Sequence, residues 1–253
     1  GVRRGPSPPV WQAPVEGARA LVAAGVGKDA RVGILMTNRP EHLAAAFGTA
    51  LAGGVIVPLN TFSTPAELEH LLQASAVSTL LFERRVAQKD FAAALAELGP
   101  AERIPFLRHL VMVDPASGPA SDGAIEAWSS FLERAAAIPP ARVEARAAAV
   151  APSDVGALFF SSGTTSRPKG ILHSQRAVAI QWWRWPRVMG VADDVRSWTA
   201  NGFFWSGNFS MVIGSTLSTG GAIVLQPTFH AEEALALLEA ERVTMPFAWP
   251  HQW

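Results

Sequence analysis

Residues Val155 to Ser161 read VGALFFS, an apolar run with no polar alternation, which suits a strand buried on both faces. A sheet covered on both faces needs flanking helices, so this run points to an α/β fold with a mostly parallel sheet. The upstream sequence alternates in the same sense. A helical pattern over Val15 to Ala24 leads to a strand at Arg31 to Met36, a helix at Pro40 to Ala52 and a strand at Gly54 to Pro58.

Directly after the apolar run the chain turns small and polar. Ser161, Ser162, Thr164, Thr165 and Ser166 place five hydroxyls within six positions, and Gly163 lets the backbone turn so that its N–H groups can face an anion. Pro168 stiffens the loop end that presents the Lys169 ammonium, and Gly170 allows a close approach or a tight exit. The set suits a polyphosphate. Lys169 contributes most per residue, because a charge-assisted hydrogen bond is about twice as strong as a neutral one. A solvated Ser/Thr turn is the ordinary reading of such a composition, and the residue order sets this segment apart from it. The order also departs from the Walker A loop, since the lysine precedes the second glycine.

Composition narrows the function further. With 253 residues and 49% hydrophobic content, the chain can bury a large core as one large domain or two subdomains. Lys and Arg balance Asp and Glu at 21 each, which removes any bulk electrostatic case for nucleic acid or an anionic membrane. Absence of cysteine excludes disulfides, thiolate nucleophiles and cysteine metal sites, and is compatible with a cytoplasmic location. The uncharged stretches Leu43 to Leu59 and Ser197 to Ala231 carry Gly, Pro, Asn, Ser and Thr, and so read as protein interior rather than membrane spans. His42, His70, His109, His173, His230 and His251 show no i, i+4 spacing, so no zinc site is expected and any metal ligands are unassigned.

Local signals mark further boundaries. Asn38 is the expected cap of the helix at Pro40, and Thr64 with Glu67 forms a Ser/Thr-x-x-Glu box at the next helix. A helix at Phe91 to Leu98 stops at Gly99-Pro100, between strands at Ser78 to Phe82 and His109 to Val113. From Asp114 to Ser153 the chain reads as a connector in which AWSSFLERAA is the helical part, with a subdomain boundary near Pro152. The expected organisation is an atypical N-terminal segment, apparently truncated, over 1–14, a first α/β subdomain with its connector over 15–151, and a partial second one over 152–253. The second holds a helix at Ser174 to Arg184, a strand at Ser197 to Ala200, a helix at Asn208 to Leu217, a strand at Ala222 to Leu225 and a helix at Ala231 to Glu241. It also carries seven of the nine tryptophans, which mark either core anchors or an apolar ligand surface.

The string SSGTTSRPKG (Ser161 to Gly170) resembles the signature loop of the AMP-binding, adenylate-forming superfamily, which holds acyl-CoA synthetases, aryl-CoA ligases, luciferases and peptide-synthetase adenylation domains. The resemblance extends from about Glu16 to Trp253 and includes NRPEHLAAAFGTALAGGVIVPLN (Asn38 to Asn60), ASAVSTLLFE (Ala74 to Glu83) and FHAEEALALLEAERVT (Phe229 to Thr244). It implies the large N-terminal domain of such an enzyme, with sheets flanked by helices, incomplete here and without the C-terminal domain. The implied activity uses MgATP to convert a carboxylic acid to an acyl-adenylate and then a thioester with coenzyme A. It implies that Ser161, Ser162, Gly163, Thr164, Thr165, Ser166, Lys169 and Gly170 hold the phosphates, with Lys169 drawing charge toward pyrophosphate.

The same resemblance places the acid near Phe204, Trp205, Ser206 and Gly207. Family members carry Pro-x-Phe-His where this chain has Gly202-Phe203-Phe204-Trp205, so fatty, cyclic and aryl acids all stay open. A histidine common in the family two residues after His173 is replaced by Gln175. The adenine, ribose and adenylation-lysine segments of the family have no counterpart here, which implies little or no ligase activity for this chain alone. A non-catalytic nucleotide-binding or regulatory module is the alternative.

Overall fold

A computed structural model describes residues 12–114, 124–161 and 167–252. Its strands are β1 (Arg31–Leu35), β2 (Val55–Pro58), β3 (Thr79–Phe82), β4 (Arg85–Val86), β5 (Lys89–Asp90), β6 (His109–Met112), β7 (Ile125–Ala127), β8 (Val155–Ser161), β9 (Lys169–Ser174), β10 (Arg196–Thr199), β11 (Ala222–Leu225) and β12 (Met245–Pro246). Helices are α1 (Gln12–Ala23), α2 (Pro40–Leu51), α3 (Pro65–Ser75), α4 (Phe91–Leu98), α5 (Pro100–Arg103), α6 (Trp128–Glu133), α7 (Pro140–Ala148), α8 (Gln175–Met189), α9 (Ser215–Ser218) and α10 (Ala231–Ala240).

Seven strands form one sheet in the order β7-β6-β3-β1-β2-β8-β9, parallel throughout except for β9, which runs antiparallel to β8. Both faces are covered, as the unalternating strands require. On one side Val32, Ile34 and Leu81 pack against Ala18, Leu21 and Ala45 of α1 and α2. On the other, Leu35, Leu80 and Phe82 meet Leu68, Leu71 and Leu72 of α3 and Leu95 and Leu98 of α4. Each buried Leu, Ile or Phe stabilises the fold by about 1.5–3 kcal/mol relative to exposure. A smaller parallel sheet, β11-β10-β12, carries α10 on Trp198 and Val224.

Small residues set the spacing of α1 and α2. A Cβ at Gly48 would lie 3.1 Å from Ala18 N and 3.2 Å from Pro14 O, so the two helices meet at backbone distance. The Thr64–Glu67 box forms as expected. Glu67 N donates to Thr64 Oγ1 at 3.3 Å and Thr64 N donates to Glu67 Oε2 at 2.7 Å. Helix α4 spans the expected residues and ends on Gly99 at φ 60°, a conformation that suits glycine.

The structure differs from the sequence reading in several places. The connector holds α7 and β7 besides α6, because the Pro139-Pro140 pair opens a helix with Pro140 in its first turn. Strand β8 pairs with β2 through Ile56 and Ala157, so the larger sheet continues past Pro152 to Ser174. Lys169–Ser174, to which the sequence reading gives no element of its own, form strand β9, and α8 runs to Met189 with Pro186 inside it. Asn208–Gly214 is a π-helical segment that passes into α9. No helix among the described residues is long and apolar enough to cross a membrane.

Candidate functional site

The β8–β9 ladder brings the two ends of the hydroxyl-rich loop together. Ser161 is the last residue of β8 and faces Lys169, the first of β9, while Phe160 faces Gly170. Ser161 is half-buried, and Lys169 and Gly170 are exposed. Among the described residues the Lys169 ammonium has no hydrogen-bond or ion-pair partner. Ser162, Gly163, Thr164, Thr165 and Ser166 lie outside the described residues.

Helix α3 reaches the root of this hairpin. His70 Nε2 lies 3.2 Å from the carbonyl oxygen of Pro168, a donor position for the protonated nitrogen of the ring. His173 on β9 packs edge-on against Phe159 of β8, with ring centroids 5.6 Å apart. Neither histidine meets a metal-type cluster. Among the described residues no group of three His, Asp or Glu side chains is suited to a metal ion.

The second expected site begins where β10 ends. Phe203 and Phe204 are buried, Trp205 and Ser206 are exposed and Gly207 is half-buried. Phe204 sits 5.2 Å from the Trp205 ring and 5.8 Å from Phe62, which projects 69% exposed from the loop after β2. An aromatic face therefore joins residues of both sheets. Gly202 lies under the Phe204 ring, where a Cβ would come within 2.0 Å of Cε1. The ring centroids of Phe159 on β8 and Phe209 are 5.4 Å apart, and those of Phe209 and Trp182 are at the same distance, so packed rings link β8 to the segment after the aromatic turn.

Two residues from the start of α2 hold this turn. Asn38 is fully buried and is not the cap of α2, since Pro40 occupies the first turn and Arg39 takes the cap position without a side-chain bond. Its Nδ2 donates to Thr199 O at 3.2 Å and Asn201 O at 2.8 Å, and its Oδ1 accepts from Phe203 N at 2.9 Å. His42 is also fully buried and meets the Phe203 ring edge-on at 5.4 Å. Burial pushes its pKa down to about 4, opposed in part by the neighbouring backbone of Met36 and Thr37. Neither ring nitrogen finds a partner in hydrogen-bond geometry among the described residues.

Arg39 faces the carboxyl ends of the strands and gathers three acids. It bonds Glu41 and Asp114 at 2.8 Å each and lies 3.4 Å from Glu83. Asp114 and Glu83 also accept from the backbone N–H groups of Arg84 and Thr37. With its acids already paired, this cluster works as a brace. Sequence reasoning missed Asn38, His70 and Arg39 as contacts to distant segments. The Asn38 error had a readable signal, because proline favours the first helical position and so moves the cap to residue 39.

A surface cavity of about 770 Å³ lies elsewhere, between Trp182, Trp183, Pro186 and Arg187 of α8 and Ser218 and Thr219 at the end of α9. None of the expected site residues lines it.

The family model described as AMP-binding enzyme matches residues 14–253. Among curated relatives, a 3-[(3aS,4S,7aS)-7a-methyl-1,5-dioxo-octahydro-1H-inden-4-yl]propanoyl:CoA ligase of Mycobacterium tuberculosis is 34% identical over 90% of this chain and 43% of its own length. A 3-hydroxybenzoate/4-hydroxybenzoate–CoA ligase of Thauera aromatica is 33% identical over 91% of this chain and 41% of its own length. The indoleacetate–CoA ligase of Aromatoleum aromaticum is 33% identical over 93% and 42%. Among solved structures, the anthranilate CoA ligase AuaEII in complex with anthranoyl-AMP superposes with a TM-score of 0.80 at 23% identity, covering 94% of this chain and 43% of that one. The chain thus spans less than half the length of these proteins.

Proposed function

Because the chain belongs to the AMP-binding enzyme family, we propose that its β8–β9 hairpin holds the phosphates of ATP within an AMP-forming ligase that joins a ring-bearing carboxylic acid to coenzyme A. The observation that carries this reading is Lys169. It stands exposed at the hairpin root, across from Ser161, with no hydrogen-bond or ion-pair partner among the described residues. The ring-bearing class is supported from two directions. The Mycobacterium, Thauera and Aromatoleum relatives are named for acids that carry rings, and this chain sets Phe62, Phe204 and Trp205 side by side. Aromatic faces receive flat rings in offset or edge-on contacts worth about 0.5–1.5 kcal/mol each.

In the proposed reaction a carboxylate oxygen attacks the α-phosphorus, the bond to the β-phosphate oxygen breaks, and negative charge grows on departing pyrophosphate. In this reading the Lys169 ammonium stabilises that charge and the Ser161 hydroxyl donates beside it, a pairing supported by their facing positions on β9 and β8. Positioning and charge compensation are all that such a step asks of the protein. Mg²⁺ bound with the triphosphate would neutralise phosphate charge, a task that calls for no dedicated all-protein cage. In the second step the coenzyme A thiol attacks the acyl carbon and AMP departs, and a cytoplasmic location, where ATP and coenzyme A are both at hand, fits this reading.

Calorimetric titration of the chain with ATP and with pyrophosphate tests the reading. Lys169→Ala should weaken both by about tenfold or more, since a hydrogen bond to a charged group contributes about 1.5–3 kcal/mol. Equal affinity of variant and parent would refute it.

A further inference from the structure

Asn38 is a buried amide with three hydrogen bonds, and all three go to the turn that follows β10. The partners are more than 160 residues away in sequence, at Thr199, Asn201 and Phe203. The cap role that an asparagine before a helix usually performs is not used. Four residues on, His42 of α2 packs against the Phe203 ring, so backbone and side chain of Phe203 are both gripped from the start of α2. Phe204 then folds over Gly202, and Trp205 N donates to Gly202 O at 3.2 Å. The orientation of Phe204 and Trp205 therefore depends on where Asn38 holds the turn.

We propose that Asn38 is a positioning residue for acid recognition: it fixes the Thr199–Phe203 turn so that Phe204 and Trp205 present one face to the ring of the carboxylic acid. This rests on the reading of residues 204–207 as the acid pocket. A preorganised wall loses little side-chain freedom on binding, whereas a turn released from Asn38 must be ordered by the ligand itself. Loss of Asn38 thus weakens acid binding. Asn38 makes no bond to the β8–β9 hairpin, whose ring contact with this region runs through Phe159 and Phe209 rather than through the Thr199–Phe203 turn.

The experiment compares parent chain, Asn38→Asp, Asn38→Ala and Gly202→Ala, each checked for native circular dichroism. Asn38→Asp keeps an acceptor for Phe203 N–H but sets a buried carboxylate oxygen against the Thr199 and Asn201 carbonyls, so at pH 7 it loosens the turn more than alanine does. Gly202→Ala displaces Phe204 without touching the larger sheet, and it keeps the proposal testable if both Asn38 variants fail to fold. Hydrogen exchange at residues 200–205 is read without ligand, and affinities for indole-3-acetate and for pyrophosphate are read by calorimetry. The proposal expects exchange at the Phe203 amide to rise at least tenfold in the Asn38 variants. It also expects indole-3-acetate to bind about tenfold more weakly in every folded variant, with pyrophosphate affinity unchanged. Unaltered exchange at Phe203, unaltered acid affinity, or equal loss for acid and pyrophosphate would overturn it. A parent chain that binds pyrophosphate but no ring-bearing acid would overturn the acid-pocket reading itself, whatever the exchange data.

Discussion

Lowering the pH from 7 to about 4.5 should destabilise this protein through His42 in particular. The imidazole is fully buried, and burial pushes its pKa from 6.5 to about 4. Between those values the unfolded chain takes up a proton that the folded one refuses. Stability is therefore intact above pH 6.5 and falls as the pH drops toward 4, where the loss levels off. At 1.36 kcal/mol per pKa unit the full effect is about 3 kcal/mol, and most of it has been lost at pH 4.5. Carboxylates contribute in the same direction. Asp90, whose pKa is lowered by a hydrogen bond from Ala93 N, and Asp154, lowered by its bond from Lys28, both lose native partners in acid. His42→Phe isolates the histidine, because it keeps an edge-on ring against Phe203 and has nothing to protonate. Urea unfolding of parent and variant at pH 7 and pH 4.5 gives the difference of differences. The variant should lose about 2–3 kcal/mol less than the parent on acidification. Equal losses would refute a buried neutral imidazole at this site.

Four further outcomes follow from the packing. Gly48→Val should destabilise by about 1–3 kcal/mol in urea unfolding at pH 7, because the new side chain meets backbone atoms of α1 that cannot rotate away. Thr64→Ala removes the acceptor for Glu67 N and should cost about 1 kcal/mol, read as a shift in denaturation midpoint. Arg39→Met leaves Glu41, Glu83 and Asp114 without their shared cation, so it should cost about 3 kcal/mol at pH 7 and recover part of that near pH 4 as the acids protonate. His70→Ala should change stability by less than about 1 kcal/mol while weakening pyrophosphate binding several-fold in calorimetry, through the lost hold on Pro168 O.

Local chemistry made much of this molecule readable in one dimension. Unalternating apolar runs placed β1, β2, β3, β6 and β8, the Thr64–Glu67 box opened α3, and Gly99 closed α4, because each depends on neighbours within a few residues. Membership of the AMP-binding enzyme family was equally legible, since the resemblance rests on residue order in SSGTTSRPKG and its flanks. Strand β9 was not, because Lys169–Ser174 becomes a strand through pairing with β8, and an exposed edge strand carries weak periodicity of its own.

Asn38 shows the same limit from the other side. Sequence proximity suggested a helix cap, yet the fold brings β10 close enough for the amide to satisfy three backbone groups from the far half of the chain. Trp205 and Phe62 likewise share an aromatic face through contacts with Phe204 that no local pattern records. Sequence by itself determined the α/β class, the Thr64–Glu67 box and the helix stop at Gly99, all set by short-range sterics and hydrogen bonding. Tertiary structure alone decided which buried polar groups meet across the two sheets, because a group removed from water must take whatever partner the packing delivers.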